Sequence, residues 1–190
     1  MSFDDDHVLT DLHERFDEVL RALEETDGRV TARVRPQVLI LGSLDGVETG
    51  IRQLIRRRPR EVEEVRVGDR SLRVPTLEEI LRIKAWLVLR RNATRDYLDL
   101  VALAERMGRA DAARVIVGMD EYYEDQVGPG GRRVATQLAR QLAEPAPYDL
   151  SEIDLARYRQ LEDRWRNWEN VVDVARALAA EILDLVAEGD

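Results

Sequence analysis

The feature that most constrains the fold of this chain is a change of apolar rhythm at Pro75. Ahead of it lie short stretches rich in β-branched residues. Arg29–Arg35 alternates, Gln37–Leu41 is nearly all apolar, Val47–Ile55 is mixed, Val62–Val67 alternates, and Ser71–Val74 follows a turn at Gly68-Asp69-Arg70. Side chains alternate faces along a strand, so this pattern predicts about four or five strands, the last two paired as a hairpin. Beyond Pro75 apolar residues recur at helical spacing. Thr76-Leu77-Glu78-Glu79 fits a capping box and opens a helix carrying Leu77, Ile80, Leu81, Ala85 and Val88. Asn92-Ala93-Thr94 breaks it, and a second helix runs from Arg95 to Met107, stopping at Gly108. Further helices are predicted over Ala110–Tyr123, Arg133–Leu142 and Asn167–Val186, with Glu144–Tyr148 and its two prolines linking to Ser151–Arg159. Near the start, Val8, Leu9, Leu12, Phe16, Val19, Leu20 and Leu23 mark one amphipathic helix. The expectation is an α+β protein: a mixed sheet with a packed helix over residues 1–75, then a helical subdomain over 76–190.

With 190 residues, 44% of them hydrophobic, the chain has the material for a real core. It contains no cysteine, which excludes disulfides, thiolate nucleophiles and cysteine zinc sites. No apolar run approaches the roughly 20 residues of a membrane span, and Met-Ser-Phe-Asp-Asp-Asp is unlike a signal peptide. A cytoplasmic protein is expected. The net charge of −9 is unevenly spread: −6 over residues 1–47, +6 over 48–95 and −9 over 96–190. The basic middle segment is suited to a polyanion such as triphosphate or RNA, unless its arginines pair with neighbours such as Glu61, Glu63 and Glu64. Of 29 basic residues 28 are arginine, and Lys84 is the one lysine. An ammonium is a compact point charge where a guanidinium is a planar fork.

Two groups of residues carry candidate chemistry. Asp4 and Asp6, two apart, would share a face if strand-borne and could converge on a divalent cation; a solvated terminal tail is the plainer reading. Lys84 and Arg91 lie along one face of the first helix after Pro75, and Asp96 and Asp99 share a face at the start of the next. A short link between those helices brings Lys84 near Asp99. Simple helix capping and surface pairing would use the same residues. His7 and His13 show no metal-ligand spacing, Gly128-Pro129-Gly130-Gly131 is a turn, and Trp165, Trp168, Tyr158 and Val171–Val186 fit either a core stripe or a partner-binding helix.

Lys84, Arg91, Arg95, Asp96 and Asp99 stand at the K-x6-R-x3-R-D-x2-D spacing of the AbiEii/AbiGii-type toxin nucleotidyltransferases, a branch of the DNA polymerase β-like superfamily. Ser2-Phe3-Asp4-Asp5-Asp6-His7 resembles that family's S/T-x-D-x-D metal motif. The resemblance covers roughly residues 1–110. It implies Mg²⁺ (or Mn²⁺) held by Asp4 and Asp6, with Glu48 as a third carboxylate. It further implies Lys84 on the triphosphate, Asp99 orienting it, and Arg91, Arg95 and Asp96 in the nucleotide site. The function implied is transfer of NMP from NTP to RNA, at a tRNA 3′ end, by a toxin with a cognate antitoxin. The family's Gly-Ser turn ahead of the paired acids has no counterpart before Ser2, and Gly42-Ser43 lies after them. That departure leaves two expectations: an enzyme whose start lies upstream, or a degenerate, non-catalytic binding or regulatory protein on the same scaffold.

Overall fold

The computed structural model describes residues 5–127, 132–158 and 161–188. It is α+β, and the chain divides into two compact units, Met1–Pro59 and Arg60–Asp190.

In the first unit, strand β1 (Asp5–Leu9) leads into helix α1 (Leu12–Glu24), followed by strands β2 (Arg29–Arg35), β3 (Leu39–Leu44) and β4 (Val47–Gln53). The sheet order is β1-β4-β3-β2; β1 runs parallel to β4, and the other pairs are antiparallel. Consecutive strands pair through short turns, whereas the parallel pair needs a longer crossover, which α1, β2 and β3 provide. Leu12 and Phe16 of α1 pack on Ile40, with Leu9, Val19, Leu20, Leu23 and Ile51 around them. The third strand starts at Leu39 and not at Gln37. Pro36 fixes a turn there, Gln37 takes a left-handed φ of 62°, and the Val38 N–H returns to the Arg35 carbonyl.

In the second unit, β5 (Val62–Val67) and β6 (Arg70–Pro75) form the expected hairpin. It makes its own two-stranded sheet and groups with the helices, so the boundary falls ahead of it, between Pro59 and Arg60. Helices α2 (Leu77–Arg91), α3 (Thr94–Met107), α4 (Arg109–Val117), α5 (Met119–Tyr122), α6 (Glu124–Val127), α7 (Val134–Ala143) and α8 (Trp168–Glu188) follow. Gly118 divides the helix expected over Ala110–Tyr123 into α4 and α5, and short 3₁₀ turns form at Leu150–Glu152 and Leu155–Arg157. Thr76 caps α2 by accepting from the Glu79 N–H at 3.2 Å. A large core runs through α2, α3, α4, α7 and α8, including Leu81, Tyr97, Leu100, Ile116, Leu138 and Leu178. Trp165, Val171 and Ile182 are buried in it, and Trp168 packs against it half-buried. Among the described residues, no helix is long and apolar enough to cross a membrane.

Candidate functional site

The residues predicted for the site fall in both units. In the first, Asp4 lies outside the described residues. Asp6 stands opposite Gly50 in the parallel pairing, and Glu48, two residues before Gly50, faces the same side. Ile51, on the other side of β4, packs toward α1, so Asp6 and Glu48 occupy the sheet face away from that helix. Gly50 makes room for the acid: a Cβ there would sit 2.1 Å from Asp6 Oδ1. The Asp6 carboxylate is 3.7 Å from Arg52 Nε, and both side chains are exposed. Among the described residues, no group of three or more His, Cys, Asp or Glu is placed to hold a metal ion.

The second unit assembles the rest. Asn92, left-handed at φ 53°, ends α2 and turns the chain directly into α3. Its side chain accepts from the Tyr97 hydroxyl at 2.7 Å and the Gln141 amide at 2.8 Å, and donates to the Ala146 carbonyl at 2.8 Å. With that corner fixed, Lys84 Nζ donates to Asp99 Oδ2 at 2.6 Å, and Arg95 Nε stands 4.0 Å from the same oxygen. The pair lines a cleft of about 580 Å³ with Ile80, Leu103, Arg106 and Trp165. On its rim Arg164 pairs with Glu105. Asp96 is buried, and its Oδ2 has no hydrogen-bond partner. Burial pushes its carboxyl above the ordinary range, against the pull of Arg91, Lys84 and Arg95. Tyr158 is also pushed up by burial, and it feels Arg95, Asp99, Asp149 and Asp96 together.

Asp149 is a residue that local sequence patterns do not reveal. Its Oδ1 accepts from the Thr94 N–H at 2.7 Å and the Thr94 hydroxyl at 2.8 Å, capping α3 from 55 positions away. Burial raises its carboxyl, but the two bonds from Thr94 outweigh that and hold it below its ordinary value. Ala93, the residue at the cap position, supplies no side-chain bond.

A second polar cluster anchors the hairpin to the helices. Arg82 donates to Glu61 at 2.8 and 2.9 Å and to the fully buried Glu79 at 3.1 Å, and lies 3.9 Å over the Tyr122 ring. The Tyr122 hydroxyl closes the cluster on Glu61. The basic run Arg56-Arg57-Arg58 is engaged too: Arg56 is buried and donates to the carbonyls of Arg58 and Pro59.

No family model matches the chain, and no solved structure matches it. Curated relatives do. The chain is 38% identical over 131 residues to the "Heme uptake protein MmpL11" of Mycobacterium tuberculosis, and 37% identical over 131 residues to the "Mycolic acid-containing lipids exporter MmpL11" of Mycolicibacterium smegmatis. It is 33% identical over 123 residues to the "Probable transport protein MmpL11" of Mycobacterium leprae. The chain is similar to part of a transport protein. The matches take in 68%, 68% and 62% of this chain but 13%, 13% and 11% of the relatives, so it spans about an eighth of their length. A match of 131 residues exceeds the 59 of the first unit and therefore takes in more than half of the second. These names correct two expectations. The descriptors nucleotidyltransferase, toxin, magnesium and tRNA, and the partners NTP, RNA and antitoxin, give way to relatives named for transport of heme or lipids.

Proposed function

We propose that the chain is a non-catalytic binding or regulatory module of a transport system related to MmpL11, working on the cytoplasmic side of the membrane. The observation that carries this reading is the similarity over 131 residues, most of which is too long to lie in the sheet unit alone. No described helix here is long and apolar enough to span a bilayer, which supports reading the resembling part of the transporter as an extramembrane segment. A homologous copy of such a segment recognises the same surroundings: the rest of the transporter or whatever that segment docks against. The paired state of Lys84 with Asp99, and of Asp6 with Arg52, supports a binding role over a catalytic one. Neutralised pairs fix geometry and leave little charge to stabilise a transition state.

The test is sedimentation of the purified, tagged chain with membrane vesicles that contain or lack the M. smegmatis transporter. Recovery with the vesicles that contain it is the expected result. Equal recovery with both kinds of vesicle overturns the proposal.

A further inference from the structure

A cleft of about 610 Å³ opens between α2, α6 and α7, apart from the Lys84–Asp99 site. Trp86, Leu89 and Val127 form its apolar wall, and Arg90, Arg132 and Arg140 supply three guanidinium groups. Gln126, Gln137 and Gln141 add amides, and no carboxylate lines it. Some arginines of the second unit meet acids: Arg82 with Glu61 and Glu79, Arg109 with Glu181, Arg164 with Glu105. Among the described residues, Arg90, Arg132 and Arg140 have no carboxylate partner, although the chain carries 38 acids and a net charge of −9.

The frame behind these arginines is fixed. Gln141 Nε2 donates to the Val88 carbonyl at 2.9 Å and to Asn92 Oδ1 at 2.8 Å, tying α7 to the end of α2. Asp120 accepts from the Val134 N–H at the start of α7, and Gln137 holds the Arg132 carbonyl at 2.7 Å. Trp86 is stacked on Tyr123 at 4.2 Å, and the Arg90 guanidinium lies 5.8 Å from the Trp86 ring centre. Three like charges held on one rigid cleft repel one another, and a ligand with several acceptor oxygens relieves that repulsion. Guanidinium forks match phosphate and carboxylate oxygens and stack on flat rings. A volume of this order suits a small organic molecule.

We infer that the cleft between α2 and α7 binds a phosphate- or carboxylate-bearing organic anion with an apolar body. The acidic groups meet Arg90, Arg132 and Arg140, and the body lies along Trp86, Leu89 and Val127. The same chemistry is found in soluble metabolites and in anionic lipid headgroups. The inference does not depend on an association with a transporter.

The experiment is titration calorimetry of the full chain with three probes: inorganic pyrophosphate, protoporphyrin IX, and phosphatidylglycerol vesicles against phosphatidylcholine vesicles. Saturable, salt-sensitive binding of at least one anionic probe is expected. The triple variant Arg90→Gln/Arg132→Gln/Arg140→Gln weakens it by about tenfold or more, since each lost charge-assisted bond alone is substantial. Arg157→Gln, on an exposed pair away from the cleft, serves as the control that retains affinity. Binding only to phosphatidylglycerol vesicles, lost in the triple variant, assigns the ligand to a lipid headgroup. Binding of pyrophosphate or the porphyrin assigns it to a soluble anion. If no anionic probe binds, or if the folded triple variant (checked by circular dichroism) binds as tightly as the parent, the inference is wrong.

Discussion

The sheet unit and the helical unit bury apolar surface on very different scales. Met1–Pro59 closes four strands and one helix over Leu12, Phe16 and Ile40, with a fringe of half-buried neighbours. Arg60–Asp190 builds one continuous core through five helices and adds a buried ion cluster at Arg82. Burial grows faster than chain length, so a small unit with only Leu12, Phe16, Leu39 and Ile40 as buried hydrophobics among its described residues is marginal where a unit twice its size is not. The contrast places the independent stability of the chain in the part that must carry more than half of the similarity to MmpL11.

The sharpest way to break that comparison is to separate the units. Residues 60–190 alone are expected to melt cooperatively by circular dichroism, and residues 1–59 alone to show no transition. A folded sheet unit without its helical companion would reverse the contrast. Next in size is Arg82→Ala, which removes an ion pair to the buried Glu79 carboxylate and both bonds to Glu61. It should cost about 3–5 kcal/mol in urea unfolding. Arg52→Ala removes an exposed pair in the first unit and should stay within about 0.5 kcal/mol. Asn92→Ala forfeits a left-handed corner and three side-chain bonds. A loss of about 2–3 kcal/mol is expected by the same measurement.

Smaller effects probe the electrostatics around α3. Asp149→Ala should cost about 1 kcal/mol near neutral pH, as for a lost helix cap. The Asp149 carboxyl is held below its ordinary value in the fold, so its contribution is present above the ordinary carboxylate range. It fades as pH falls through the depressed value, and the variant should then match the parent. Asp96 has the opposite sign. Its carboxyl is raised in the fold, so the native state binds the extra proton and stability falls as pH climbs from the ordinary carboxylate range through the raised value. Asp96→Asn should remove that slope, with a small rise in melting temperature near neutral pH that disappears in acid. A variant that loses stability at neutral pH instead would show that the ion attractions from Arg91 and Lys84 outweigh burial.

Local rhythm made much of this fold legible. The alternation in Val62–Val67 and the turn at Gly68-Asp69 became β5 and β6, and Thr76 capped α2 as its capping-box spacing implies. The pairing of Lys84 with Asp99 followed from two helices joined by two residues, since so short a corner leaves few other geometries. What could not be read depended on partners far along the chain. The parallel alignment of β1 with β4 joins segments separated by a whole helix and two strands. The cap on α3 comes from Asp149, while the residues beside it offered only Ala93. Motif spacing is ambiguous by itself. The block from Lys84 to Asp99 suits a phosphate site in one family, and ion pairs at a helix corner require the same residue types.

The lone lysine has a practical consequence. Every other basic side chain is a guanidinium, so amine-directed acylation or isotope labelling has one side-chain target, Lys84. Because that amine is clamped to Asp99, its rate of modification is a reporter of how often the α2–α3 corner opens.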